Sequence, residues 1–389
     1  MQGTQPGSYA PILNNNVASN NMNIPFVDLK VQYQRIKTNI DGAIAQVIEE
    51  TCFINGHFVK EFERDFATLY GVKQVIGCAN GTDALYVIMK MLGIGEGDEV
   101  ITVANSWISS SETISQTGAR PVFVDVHPDY YSLDESLLEA RITSRTKALI
   151  AVHLQGQACA VDVIKEICHR HGIYLIEDCA QAHFSEFKGK RTGLHGIAGT
   201  FSFYPGKNLG AYGDAGCIMT NDDALAEKCR MYANHGALKK PDHRIEGINS
   251  RLDTIQAAIL GAKLPYILEW TEQRIRNAAL YDKYLADIKD IVLPRKRPDT
   301  KHTYHLYVIR CKQRDGLMSF LKDQGIETAI HYPVALPNLP AYKYLGYTPA
   351  DFPVATRLQQ EILSLPMFPE LTEEQISYVT DKIRSFYKK

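Results

Sequence analysis

This 389-residue sequence lacks several features, and each absence removes a class of function. No apolar run approaches the roughly 18–20 residues that a membrane-crossing helix needs. No excess of one charge is present, because 42 Lys and Arg stand against 44 Asp and Glu, scattered along the chain. That balance leaves no basic footprint for nucleic acid and no polybasic patch for a membrane surface. None of the eight cysteines forms a C-x-x-C pair, and several sit in apolar runs. A disulfide framework belongs to short secreted chains, so these read as buried reduced thiols in a cytoplasmic protein. Finally, the turn after the first expected strand carries no G-x-G-x-x-G, which argues against a dinucleotide site there.

What is present suits a large soluble enzyme. The hydrophobic fraction of 45% over this length is enough for a sizeable core, and the length suits one large domain plus a smaller one. Residues 1–23 are rich in Asn, Gly, Pro and Ser, with neither a basic nor an apolar segment of a signal peptide, and read as a flexible tail. Short β-rich apolar runs at 74–79, 99–104, 121–126, 148–154, 173–179, 200–204 and 216–220 alternate with amphipathic stretches such as 82–91 and 161–171. The alternation predicts an α/β domain over residues 24–270 with a mostly parallel seven-stranded sheet covered on both faces. Residues 253–286 predict one long helix or two, interrupted at Pro265. A smaller α+β domain over 271–389 follows, with strands at 305–311 and 327–332, a helix at 317–324 and two further helices.

Three features carry chemistry. Cys78-Ala79-Asn80-Gly81-Thr82-Asp83 is a small-residue turn opening a helix. Such a turn offers backbone N–H groups and a helix N-terminus to a phosphate, although the same residues make an ordinary helix cap. Glu177-Asp178 closes a strong apolar strand, where open α/β sheets bind ligands. A carboxylate buried there needs a cationic partner, unless it merely caps a helix. Lys207 stands in a Gly- and Pro-rich loop, Tyr204-Pro205-Gly206-Lys207-Asn208-Leu209-Gly210, between two apolar strands. A desolvated lysine amine loses its proton more easily and serves as nucleophile and base. Ser202, five residues earlier, is placed to reach the same ligand.

In this order and combination, the motifs resemble those of the DegT/DnrJ/EryC1/StrS sugar aminotransferases, a family of fold-type I enzymes dependent on pyridoxal 5′-phosphate. The resemblance runs from about Ile24 to the C-terminus and is strongest at residues 80–85, 177–181, 202–209 and 247–253. It implies that Lys207 carries the cofactor as a Schiff base and moves protons, and that Asp178 pairs with the pyridinium nitrogen. It also implies that Gln181 lies near the ring hydroxyl, that Gly81, Thr82 and Ser202 bind the phosphate, and that Trp107 stacks on the ring. Asn249 and Arg251 would reach a neighbour's active site across a homodimer interface, and His331 would lie near the substrate. The implied reaction moves an amino group from an amino acid, L-glutamate favoured, onto a nucleotide-linked keto-hexose, with C3 favoured over C4.

Three departures stand out. Phe184-Ser185 replaces the family's Gly-Ala, Gln155 replaces the Tyr of His-Leu-Tyr-Gly, and Ala215 replaces a Gly. Phe184 and Gln155 are expected to reshape the sugar pocket. Two other readings compete: a sugar dehydratase on the same scaffold, which would carry His where Lys207 stands, and a catalytically silent regulatory protein.

Overall fold

A computed structural model describes residues 22–388; the tail therefore lies almost wholly outside the described residues. The centre is a seven-stranded sheet in the order Gln74–Cys78, Gly216–Thr220, Ala198–Ser202, Tyr174–Asp178, Thr146–Val152, Glu99–Val103, Arg120–Val124. All neighbours pair in parallel except those of Gly216–Thr220, which runs antiparallel to both strands beside it. Glu99–Val103 and Gly216–Thr220 are buried at every position, as expected of strands covered on both faces.

Helices supply the covers because their apolar residues recur at helical spacing. In His57–Tyr70 the buried positions are Val59, Phe62, Glu63, Phe66 and Tyr70, one stripe facing the sheet. Phe66 is the centre of that layer, with ring centroids of Phe62, Tyr70, Phe184, Phe201 and Phe203 all within 5.1–6.0 Å. On the strand that ends at Ser202, side chains alternate between faces. Phe201 and Phe203 point into this aromatic layer, and Ser202 points away from it, towards Gly81.

Pro265 acts as anticipated. Helix Thr254–Lys263 ends, a 3-10 turn Leu264–Tyr266 carries the proline near its start where no N–H is needed, and helix Ile267–Leu285 follows. Beyond it, a small antiparallel sheet of Ile291–Val292, Tyr307–Cys311 and Ile362–Leu365 packs with helices Arg314–Asp323 and Glu373–Tyr387 around a separate apolar cluster, which Ile24 also joins. One expectation fails here. Residues 327–332 form no strand, and only isolated bridges, Ile24 with Ile326 and Ala329 with Ser364, touch this stretch. The stretch meets the edge of the small sheet at Ala329, and further on the Leu336 N–H bonds Ala104 O, just beyond strand Glu99–Val103. Strand Ile362–Leu365, which pairs with Tyr307–Cys311 and meets this stretch at Ser364, was not anticipated.

All eight cysteines are free, seven of them buried. Among the described residues no helix is long and apolar enough to cross a membrane.

Removing the ring at the centre of the aromatic layer leaves a cavity that five rigid neighbours cannot fill. Phe66→Ala is expected to cost about 3–5 kcal/mol, read as a lowered urea midpoint for the transition that reports the large sheet.

Candidate active site

The ligand end of the large sheet gathers four strand termini. The turn at Asn80 follows the first strand, Ser106 and Trp107 follow Glu99–Val103, His153 follows Thr146–Val152, and Asp178 ends its own strand. Strand alternation separates the two acids at 177 and 178. The Glu177 carboxylate accepts N–H bonds from Gly193 (2.7 Å), His195 (2.6 Å) and Gly196 (2.7 Å), and pairs with His153 Nε2 at 3.0 Å. His153 Nδ1 accepts the Cys159 N–H, so Nε2 carries the proton given to Glu177. Every lone pair of Glu177 is thus spent on holding loops.

Asp178 is different. It is buried, at 6% exposure, and no helix follows it. Its Oδ1 accepts the Ala180 N–H at 3.0 Å and its Oδ2 accepts the Ser110 hydroxyl at 3.2 Å. Burial pushes its pKa up, and the Ala180 N–H, the Lys207 charge and Ser110 oppose that shift. The carboxylate therefore lacks a full cationic partner in the protein alone, and a cation placed against it would be held ionically.

Lys207 lies within electrostatic reach of Asp178. Burial lowers its pKa to about 8, with the Asp178 charge partly opposing the drop. The loop around it is clamped at several points. Lys207 N–H donates to Tyr204 O at 2.8 Å, and Ala211 N–H to Phe203 O at 2.7 Å. The Asn208 amide donates to Thr303 O (3.3 Å) and meets His305 Nδ1 (3.1 Å), while the buried Lys263 ammonium donates to Gly210 O (2.7 Å). Three histidines whose pKa values fall through burial and the Lys207 charge stand near it: His183 at about 3, His331 at about 4, and His305 well below the usual range. All three are neutral at physiological pH.

The phosphate turn is built as a cradle. Asn80 caps helix Gly81–Met91 by accepting the Asp83 N–H at 2.8 Å. A Cβ at Gly81 would lie 2.8 Å from Ser202 Cβ, and one at Gly216 would lie 2.4 Å from the Asn80 carbonyl carbon. Only glycine lets these three segments close on one another. Thr82 Oγ1 meets Ser109 Oγ at 2.6 Å beside them. A helix N-terminus, two hydroxyls, a buried carboxylate and a desolvated amine therefore converge, and this set fits pyridoxal phosphate at its phosphate, ring nitrogen and aldehyde.

Trp107 is 60% exposed, which excludes a core role, and its ring lies 5.8 Å from Tyr332. Gln181 is held at both ends: its Oε1 accepts the Gln155 N–H at 2.7 Å, and its Nε2 donates to Tyr332 Oη at 2.9 Å. His331 stacks on Phe26 and pairs with Ser364 Oγ at 2.9 Å.

Asn249 and Arg251 lie apart from this group. Asn249 is exposed. Arg251 donates to Asn234 Oδ1 at 3.3 Å and lines a separate cavity of about 300 Å³ with Glu63 and Arg230. Among the described residues no hydrogen bond links either of them to Lys207 or Asp178. Their neighbour Ser250 accepts the Ala79 N–H at 3.3 Å, which seats this segment behind the phosphate turn.

Of the two departures expected to reshape a sugar pocket, Phe184 does not. It is 1% exposed and packs on Tyr70 at 4.7 Å inside the aromatic layer, because its backbone (φ 58°) turns the ring away from the site. Gln155 stays at the site, bonded through its N–H to Gln181. Sequence reasoning passed over Ser110, Ser106, Tyr332 and Asn208. The one available signal was a helix start crowded with serines at 109–111, poor helix formers that earn a place by hydrogen bonding.

Two outcomes are expected. Capture of added pyridoxal phosphate by the apo-protein requires the neutral Lys207 amine, so its rate should rise with pH through about 8 and then level. An ordinary lysine would keep rising to about 10.4; stopped-flow absorbance distinguishes the two. Gly81→Ala should weaken cofactor binding roughly tenfold, about 1.4 kcal/mol, in a fluorescence titration, with the fold retained.

Comparison with known proteins shows the family. The model of the DegT/DnrJ/EryC1/StrS aminotransferase family matches residues 34–384. A Geobacillus stearothermophilus protein named "Pleiotropic regulatory protein" is 46% identical over 94% of this chain and 99% of its own. The UDP-2-acetamido-2-deoxy-3-oxo-D-glucuronate aminotransferase of Pseudomonas aeruginosa is 42% identical over 92% and 98%. The crystal structure of Streptomyces venezuelae DesV in complex with a ketimine intermediate superposes with a TM-score of 0.92 at 40% identity, covering 94% of this chain and 99% of that one. The chain belongs to the DegT/DnrJ/EryC1/StrS aminotransferase family and is a pyridoxal-phosphate-dependent aminotransferase.

Proposed function

We propose that this enzyme transfers an amino group from an amino acid, L-glutamate favoured, to the keto carbon of a nucleotide-linked hexose, C3 before C4. The observation that carries the reading is the buried Asp178 carboxylate, held among the described residues only by the Ala180 N–H and the Ser110 hydroxyl, with the desolvated Lys207 amine within electrostatic reach. The Pseudomonas relative, named a 3-oxo sugar nucleotide aminotransferase, supports the substrate class and the C3 position.

When bound, pyridoxal phosphate supplies an aldehyde for amine capture and a protonated ring that accepts electrons. The protein's residues do the rest. Gly81, Thr82 and Ser202 hold the phosphate. Asp178 holds the ring nitrogen by an ionic hydrogen bond strengthened by burial. Trp107 covers a ring face, and Gln181 has one amide proton left to give after its bond to Tyr332. Lys207 Nζ, its pKa lowered by burial to about 8, would take the proton from the donor's α-carbon and return protons to the sugar carbon in the second half-reaction. His331, neutral through burial, stands where the sugar is expected. The neutral histidines around Lys207 add no positive charge that would repel a protonated amino donor. Donor and acceptor alternate at one site, so the kinetics are ping-pong.

The active unit in this reading is a homodimer in the cytoplasm, in which Asn249 and Arg251 serve the neighbour's site. Exposed apolar side chains support it. Phe53, Ile54, Tyr204, Leu238 and Ile245 are 38–59% exposed on the segments around the phosphate turn and the 247–253 segment. The name of the Geobacillus relative raises a regulatory reading. A purely regulatory protein has no use for a desolvated lysine opposite a buried aspartate.

Purified protein, loaded with cofactor and L-glutamate, should convert a 3-keto sugar nucleotide to the amino sugar, identified by mass and NMR. Lys207→Ala should abolish turnover, and Asp178→Asn should lower kcat by about 10²–10³. Failure of every keto-sugar nucleotide tested, with cofactor bound, would sink the proposal.

A further inference from the structure

Among the described residues the Asp178 carboxylate receives two hydrogen bonds, and the one on Oδ2 comes from a side chain on a different element. Ser110 lies in the first turn of helix Ser109–Thr117 and is 1% exposed; Ser106, in the preceding turn, is 4% exposed. Their hydroxyls lie 2.7 Å apart. Ser110 Oγ also approaches Trp107 O at 3.3 Å and Asp178 Oδ2 at 3.2 Å.

Counting protons sets the direction of this chain. The Ser106 hydroxyl has one acceptor among the described residues, Ser110 Oγ, so it donates there. Ser110 has a single proton and must then choose between Trp107 O and the Asp178 carboxylate. The charged acceptor wins, because a hydrogen bond to an ionised group is about twice as strong as a neutral one. The reverse direction would strand a buried hydroxyl proton on Ser106 and leave Oδ2 without a donor, two unmet groups rather than none. The titratable groups facing Asp178 are Lys207, His153, Tyr332 and Cys179, and none of them hydrogen-bonds Oδ2.

We propose that Ser110, backed by Ser106, is a positioning residue of this enzyme: its hydroxyl fixes the rotamer of Asp178 and sustains its charge, so that the carboxylate is aimed at the cofactor ring nitrogen before the cofactor arrives. The chain is polarised in one sense, Ser106 to Ser110 to Asp178, and polarisation along it strengthens the last bond. Trp107, expected to cover the ring, sits between the two serines in sequence, so one short segment sets both the ring's face and its nitrogen partner. This rests on the reading of Asp178 as the partner of the ring nitrogen.

The test uses the full-length protein and three variants, with cofactor affinity as a readout that needs no sugar substrate. Ser110→Ala should raise the dissociation constant for pyridoxal phosphate about tenfold. It should slow the half-reaction with L-glutamate, followed by loss of the visible absorbance band, by a similar factor, with the donor concentration for half-maximal rate unmoved. Ser110→Thr keeps the hydroxyl and should restore both values. Ser106→Ala should shift both in the same direction by less, and it decides the matter if Ser110→Ala does not fold. Parental affinity and half-reaction rate in Ser110→Ala would overturn the inference. So would Ser110→Thr failing as badly as Ser110→Ala, which would assign the loss to packing. Unaltered binding in Ser106→Ala would overturn the relay. A protein that shows this serine dependence yet aminates no keto-sugar nucleotide would refute the substrate reading and leave this inference standing.

Discussion

A carboxylate taken out of water without a full counter-charge is the constraint on which this structure turns. Asp178 is held there by one backbone N–H and one serine hydroxyl, with the Lys207 charge nearby. Isolated burial of an ionised acid is costly, so the surroundings must be rigid enough to keep it in place until a cation arrives. The neighbouring acid shows the contrast. Glu177, one residue earlier and on the other side of the sheet, is saturated by three backbone N–H groups and His153, and serves the scaffold. One strand therefore carries an acid saturated by the scaffold and an acid with two hydrogen bonds and no full counter-charge.

The same economy applies to Lys207. Its lowered pKa comes from burial, and burial comes from clamps that do not touch the amine. Asn208 is tied to Thr303 and His305, and Gly210 to Lys263 on the helix before the Pro265 break. The loop thus takes its shape from the C-terminal part of the chain as well as from its own Gly and Pro residues. A lysine amine with its pKa lowered to about 8 is a tertiary product, built from contacts up to about a hundred residues away in sequence.

Two of the family departures also separate cleanly by environment. Phe184 is absorbed into an aromatic layer centred on Phe66, so its effect is on stability. Gln155 is bonded through its N–H to Gln181, at the end of the sheet where Asp178 lies. Sequence position gave both the same standing; backbone direction distinguishes them.

By itself the sequence determined the strand and helix alternation, the break at Pro265, the absence of disulfides and the order of the phosphate turn, the strand-end acid and the loop lysine. These are legible because each depends on local periodicity or on a residue type with few alternatives, such as a glycine where no Cβ fits. What only the tertiary structure decided is which groups meet. The Ser110–Asp178 bond joins residues 68 positions apart. The Tyr332 contact with Gln181 spans 151, and residues 327–332 leave the sheet that their β-rich composition suggested. Hydroxyl and amide hydrogen bonds carry no periodic signature and are set by packing across the fold, so no reading of neighbours along the chain reveals them.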